Sequence, residues 1–195
     1  MAIEVSTKQR IIDAALETLR TQGIAGTSAR AIATTGEFNQ ALVFYHFGSV
    51  NRLLIDAAAT SSAAQVAKYQ EAAGEAKSLT DLVEIARRLH ADDQQSGSVT
   101  VVTQMMAAAV SDPEMGKAVL DGFQGWIGLV EKALRQALAG TALESLIPNR
   151  QAAYAIAAVF LGIELLERLD PEQAEAEEVF DAMGSLAALF EAAFR

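Results

Sequence analysis

Apolar residues recur along this chain at three- and four-residue spacings, the period of helices that turn one face inward. Ile11, Ile12, Ala15, Leu16 and Leu19 form the first stripe, opened by a Ser6-x-x-Gln9 capping box and closed by Gly23. Ser28 can cap a short second helix that carries Ile32 and Ala33 inward. A turn follows at Thr35 to Phe38, and Asn39 can cap a third helix, Gln40 to His46. Ser49 opens a long fourth helix through Leu53, Leu54, Ala57, Ala58 and Val66 to Gly74. Ser78 and Asp81 start a fifth, which the polar stretch Asp92 to Ser98 is expected to end as a loop.

The second half continues in the same period. Val99 to Thr103 is β-branched enough for a strand, but no partner strand is in sight and the pattern runs on through Met105, Met106, Ala109 and Val110, so a sixth helix is expected. Asp112-Pro113 is an N-cap and first-turn pair for a seventh helix reaching Gly140, with Gly122, Gly125 and Gly128 inside it. Each of those glycines costs roughly 1 kcal/mol relative to alanine; close packing, a bend or ligand approach could offset it. Pro148 opens an eighth helix to Leu169, broken by Asp170-Pro171, and a last one carries Val179, Phe180, Met183, Leu186, Ala187, Phe190 and Phe194. The expected fold is therefore all-α, about nine helices: a three-helix N-terminal unit (residues 1–50) and a larger helical body (51–195).

Composition supports a packed chain: 195 residues, 51% of them hydrophobic, suffice for a continuous core. Cysteine is absent, which removes disulfides and thiolate chemistry and fits a reducing cytosol. The opening MAIEVSTKQR has no apolar core of a secretion signal, and the longest apolar run, Ala152 to Ile163, is too short for a bilayer. A cytoplasmic protein without membrane contact is expected. His46 and His90 lack metal-ligand spacing, and no phosphate loop, nucleophile elbow or paired-carboxylate motif is present. Neither an enzyme, a metal site nor a cofactor is expected.

Two short helices joined by a tight turn, the second rich in aromatics, are a unit able to hold one helix out toward duplex DNA. The net charge of −10 argues the other way, since phosphates are bound through Lys and Arg. It is unevenly spread. Residues 1–55 hold five basic groups (Lys8, Arg10, Arg20, Arg30, Arg52) against four acidic ones (Glu4, Asp13, Glu17, Glu37), a balance of +1 that leaves −11 for the rest. An acidic body would be repelled by DNA while the N-terminal part is not, which orients an encounter. At the other end, the eighth helix is apolar nearly all round and the ninth carries its stripe at close to coiled-coil spacing. Both could complete the protomer core or form a four-helix interface with a second copy.

With IIDAALETL, Gly23, TSARAIA and VFYHFGSVNRLL at these separations, residues Thr7 to Leu54 resemble the tetracycline-repressor (TetR) family of bacterial transcription regulators. The resemblance implies a homodimeric, ligand-responsive, sequence-specific DNA-binding regulator, more often a repressor, on a palindromic operator. It implies contacts to DNA from Ser28 and Arg30, base reading by Asn39, Gln40, Ala41 and Leu42, and backbone contacts near Phe44, Tyr45 and His46. Gln40 can make the bidentate contact to adenine. It further implies a small-molecule effector in the body, with Tyr69, His90, Gln104, Met105, Phe123 and Trp126 as candidate lining. For the dimer it implies Tyr154, Ala158, Leu161, Leu165, Phe180, Met183, Ala187 and Phe190. The alternative is a small-molecule sensor or interaction module of the same shape with little DNA affinity.

Three departures favour weaker DNA binding. The usual turn glycine falls on Glu37, with Gly36 one residue early; the usual lysine at the start of the fourth helix is Val50; a hydroxyl-bearing tyrosine is Phe44. A shallower salt dependence than that of a strongly basic repressor is expected.

Overall fold

The structure is a computed structural model that describes residues 6–169 and 175–194. Among these residues every regular element is an α-helix: α1 (Thr7–Gly26), α2 (Ala29–Thr35), α3 (Ala41–Phe47), α4 (Val50–Glu75), α5 (Leu79–Ser96), α6 (Ser98–Ala109), α7 (Pro113–Leu138), α8 (Asn149–Leu169) and α9 (Ala176–Phe194). The expected break at Asp170-Pro171 lies outside the described residues.

Polar caps set most of the helix starts. Ser28 Oγ accepts the Ala31 N–H (3.2 Å), Asn39 Oδ1 that of Ala41 (2.9 Å) and Ser49 Oγ that of Arg52 (3.0 Å). Asp112 Oδ1 takes two, from Glu114 (2.9 Å) and Met115 (3.1 Å), ahead of Pro113. At α5 the box is reciprocal: Ser78 accepts from Asp81 N–H while Asp81 accepts from Lys77 N–H. At α1 it is only half made. Ser6 accepts from Gln9 N–H, but the Gln9 side chain turns forward to Asp13.

One expectation needs correction. The loop expected at Asp92 to Ser98 is helix as far as Ser96, and Gly97 alone, at φ 66°, joins α5 to α6. Asp93 makes this possible from inside the last turn, because its Oδ1 accepts the Val99 N–H that opens α6 (2.8 Å). The chain packs as two compact units. The described part of Met1–Ala63 forms a compact unit together with Thr100–Gly122; Ala64–Val99 with the described part of Phe123–Arg195 forms another.

The first unit has a continuous core. Ile11, Ala15 and Leu19 of α1, Ile32 of α2, Val43 and Phe47 of α3, and Leu53 and Leu54 of α4 pack with Val101 and Met105 of α6 and Met115 of α7. Eight of those side chains, among them Ile11, Ile32 and Val43, are wholly shielded or nearly so. Thr18, also buried, is satisfied by the Ala14 carbonyl (2.7 Å) and Thr35 Oγ1 (2.9 Å). In the second unit α5 packs on α9, and Ile127, Leu134 and Ala153 form a core patch with Leu79, Leu82, Phe123 and Ile156 around it.

A buried polar network crosses the second unit. His90 of α5 has Nδ1 2.7 Å from Glu164 Oε1 and Nε2 3.2 Å from Glu167 Oε2, both on α8, with the Phe180 ring of α9 against the imidazole. Glu164 is completely buried and its Oε2 meets no hydrogen-bond partner. Burial pushes its carboxyl above the ordinary range, only partly opposed by His90. Arg168 pairs with Asp93 beside it. The glycines of α7 are not explained by crowding: a Cβ at Gly122 or Gly125 would reach only ordinary contact with Ser62 or Val66, and at Gly128 open space.

Candidate nucleic-acid interface

α3 is only seven residues long, so its orientation depends on the two side chains it buries, Val43 and Phe47, and on Leu42, which packs half-buried against the same core. The opposite side is outward. Asn39, Gln40 and Ala41 are exposed, Phe44 is 52% exposed and Tyr45 81%. Large aromatics at such exposure, on a short helix that cannot be stable by itself, need a surface to meet. His46 is half-buried, with the Tyr45 ring edge-on at 4.9 Å. Leu42, expected among the readers, is half-buried, with part of its side chain packed on the core.

The turn before α3 is unusual. Glu37 has φ 53°, and it is the one non-glycine at positive φ among the described residues; Gly36 sits at φ −93°. Gly36 is required for room rather than for its φ. A Cβ there would fall 2.8 Å from the Ala14 Cβ and 2.2 Å from Phe38 Cε1. Glycine is thus used one residue early for close packing against α1, and Glu37 must take the left-handed position that a glycine holds at no steric cost. Its carboxylate joins Arg30, Thr34, Phe38, Asn39 and Gln40 around an open depression on this face.

The five cations of this segment are differently placed. Lys8 lies over the Phe47 ring (5.3 Å), Arg10 donates to the Gly36 carbonyl (3.3 Å) and Arg20 is held by Glu17. Arg52 pairs with Asp56 (3.1 Å) and Glu114 (3.4 Å). Arg30, exposed on α2, has no ion-pair partner among the described residues. Val50, where a lysine is usual in the resemblance, is packed against the core.

A family model described as "Bacterial regulatory proteins, tetR family" matches residues 11–59, which contain α1 to α3 and the start of α4. The match thus covers about a quarter of the chain, the N-terminal helices and the start of α4. Among curated proteins none matches its sequence. Solved structures share the whole tetR fold at low identity. A TetR-family member from Streptomyces coelicolor is 24% identical, covering 93% of this chain and 99% of that one, with a TM-score of 0.67. The transcriptional regulator FadR from Bacillus subtilis, solved with stearoyl-CoA, is 14% identical over 91% and 96%, with a TM-score of 0.76. The multidrug binding protein EbrR, solved with imidazole, is 22% identical over 93% and 95%, with a TM-score of 0.68. None of its described helices is long and apolar enough to cross a membrane.

The candidate ligand residues do not assemble as one group. Gln104 and Met105 belong to the first unit: Met105 is buried in its core, and Gln104 Oε1 accepts the Ile24 N–H (3.0 Å). In the second unit Tyr69 and Trp126 meet ring to ring at 6.3 Å. The Tyr69 hydroxyl, buried and donating to Asp92, is pushed far above its ordinary range by desolvation and that bond. Asp92, which Lys68 and then Tyr69 contact, is held below the usual carboxylate range. Phe123 joins the apolar patch around Ile127, and His90 is engaged by Glu164 and Glu167. A recess of about 260 Å³, lined by Lys77, Leu79, Leu138, Thr141, Phe190 and Phe194 among others, includes none of the six.

The candidate dimer residues also divide. Phe180 and Ala187 are buried within the protomer, Phe180 against His90, so they are core rather than interface. Tyr154 (64%) and Phe190 (48%) are open, with Ala158 beside the first, while Leu161, Leu165 and Met183 are half-buried. Leu186 of the predicted stripe is exposed as well, and so are Val159, Leu166 and Leu189, which the periodicity did not single out.

Proposed function

We propose that this chain is a homodimeric repressor that reads a near-palindromic operator with α3 of each protomer and releases it on binding a small molecule in its body. The observation that carries the reading is α3 itself. Two buried side chains fix it while Gln40, Phe44 and Tyr45 face outward. In this reading Asn39, Gln40 and Ala41 meet base edges, and Ser28, Arg30, Tyr45 and His46 meet the sugar-phosphate backbone. Two protomers would present their helices about one turn of DNA apart, roughly 34–36 Å. The exposed apolar side chains of α8 and α9 support dimerisation there. A small-molecule effector is supported by the structural neighbours solved with stearoyl-CoA and with imidazole. The ligand acts only by as much as it prefers one conformation over the other.

Selection of duplexes from a random pool by the full-length protein, followed by gel-shift titration of the enriched sequence, tests this. An enriched inverted repeat bound by two protomers is the expected result. Glu37 on the DNA-facing turn and Arg52 tied to two carboxylates favour a second reading, a sensor of the same shape with little DNA affinity. Failure to enrich any sequence would select it.

A further inference from the structure

The path from the body to α3 contains a contact that nothing in the DNA-reading surface accounts for. α1 is broken at Gly23, whose backbone (φ 68°, ψ 178°) interrupts the helical ladder before a last short turn, Ile24 to Gly26. The break leaves the Ile24 N–H without the carbonyl it would otherwise use. The acceptor comes from 80 residues away: Gln104 Oε1 of α6 takes that N–H at 3.0 Å. The fit is close, since a Cβ at Gly23 would stand 3.2 Å from the same oxygen. From there the chain is stitched directly into the reading unit. Thr27 Oγ1 donates to the Gly23 carbonyl (2.7 Å), Thr27 N–H to the Ile24 carbonyl (3.2 Å), and Ser28 then caps α2. Met105, next to Gln104, is buried in the core shared by α1, α3 and α4.

We propose that Gln104 is a positioning residue for DNA binding: by accepting the Ile24 N–H at the break in α1, it latches α6 to the α1–α2 junction and sets how α3 is presented. A shift of α6 along its axis would then be passed to α2 and α3 through one hydrogen bond rather than through general packing. The first turn of α6 is itself fixed at Val99 by Asp93, so α6 is held at both ends of this path. The inference rests on the DNA-binding reading above.

The test compares full-length wild type with Gln104→Leu, which keeps the volume and loses the acceptor, and Gln104→Glu, which keeps an acceptor. The probe is the duplex that the wild type enriches from a random pool. Gln104→Leu is expected to bind it about tenfold more weakly, within the range of such couplings, and Gln104→Glu to recover most of that loss. Amide exchange at Ile24 should accelerate in Gln104→Leu and remain slow in Gln104→Glu. Equal affinity of Gln104→Leu and wild type, or equal loss in both variants, overturns the latch. If the wild type enriches no duplex, the DNA reading fails, and unchanged Ile24 exchange in Gln104→Leu would then overturn the latch as well.

Discussion

Glu37 holds the left-handed backbone at φ 53° while Gly36, immediately before it, does not use a glycine's freedom at all. The side chain at 37 therefore carries a conformational cost of roughly 1 kcal/mol, and its charge faces the surface proposed to meet phosphates. Glu37→Gly should raise the melting temperature by about 2–4 °C and tighten DNA binding at low salt. Glu37→Gln, which removes only the charge, should reproduce the second effect without the first. Calorimetry and gel-shift titration at two salt concentrations separate them.

Gly36→Ala should act in the opposite sense. Phe38 can swing away, but the Ala14 Cβ is fixed on α1, so α2 and α1 must part by some tenths of an ångström. The expected loss is about 1–3 kcal/mol of stability, read as a lower denaturation midpoint with an unchanged slope.

Arg30 and Gln40 should separate by kind of effect. Arg30→Ala should weaken every duplex alike and flatten the salt dependence by about one unit of slope, as expected for one phosphate contact. Gln40→Ala should change which duplexes are enriched, costing about 1–3 kcal/mol on the wild-type sequence alone. Sequence-blind effects from both substitutions would remove Gln40 as a reader.

Exposure separates the surface proposed for dimerisation from the core on α8 and α9. Leu189→Glu or Tyr154→Glu should shift the protein from dimer to monomer in sedimentation while leaving its helicity intact. Phe180→Ala should instead unfold the protomer, by about 3–5 kcal/mol, because its ring is buried against His90.

Glu164 gives a pH dependence of stability. Its carboxyl is raised on folding from an ordinary value of 4.5, chiefly by desolvation. A raised acid favours the folded state fully below the unfolded value, and that contribution is lost as pH rises through the folded value. Stability measured upward from pH 4.5 should therefore decline more steeply in wild type than in Glu164→Gln, which has no charge to bury.

Most of the fold was legible because helical periodicity and polar caps are local signals: Ser28, Asn39, Ser49, Ser78 and Asp112 each mark a helix start that the structure contains. The loop expected at Asp92 to Ser98 was misread for a physical reason. Its polar residues lie on a solvated helical face, and Asp93 is satisfied by partners elsewhere in the chain, Val99 and Arg168. In the candidate interface, the exposed residues of α3 followed from the motif, whereas Leu42 was assigned by position and proves to be half core. Gln104 could not have been placed from sequence. A glutamine on a mostly apolar helix carries no mark of a backbone N–H 80 residues earlier. Phe180 and Phe190 share one stripe in the sequence, and only packing shows that the first faces α5 and the second stands open.

The joint at Gly97 leaves α6 no slack at its start. With a single residue between two helices, an insertion within 99–103 could not be absorbed in a loop and would rotate everything after it by about 100°. Gln104 and Met105 would leave their neighbours together. Changes of chain length should accordingly be tolerated between α7 and α8, and rejected ahead of residue 104.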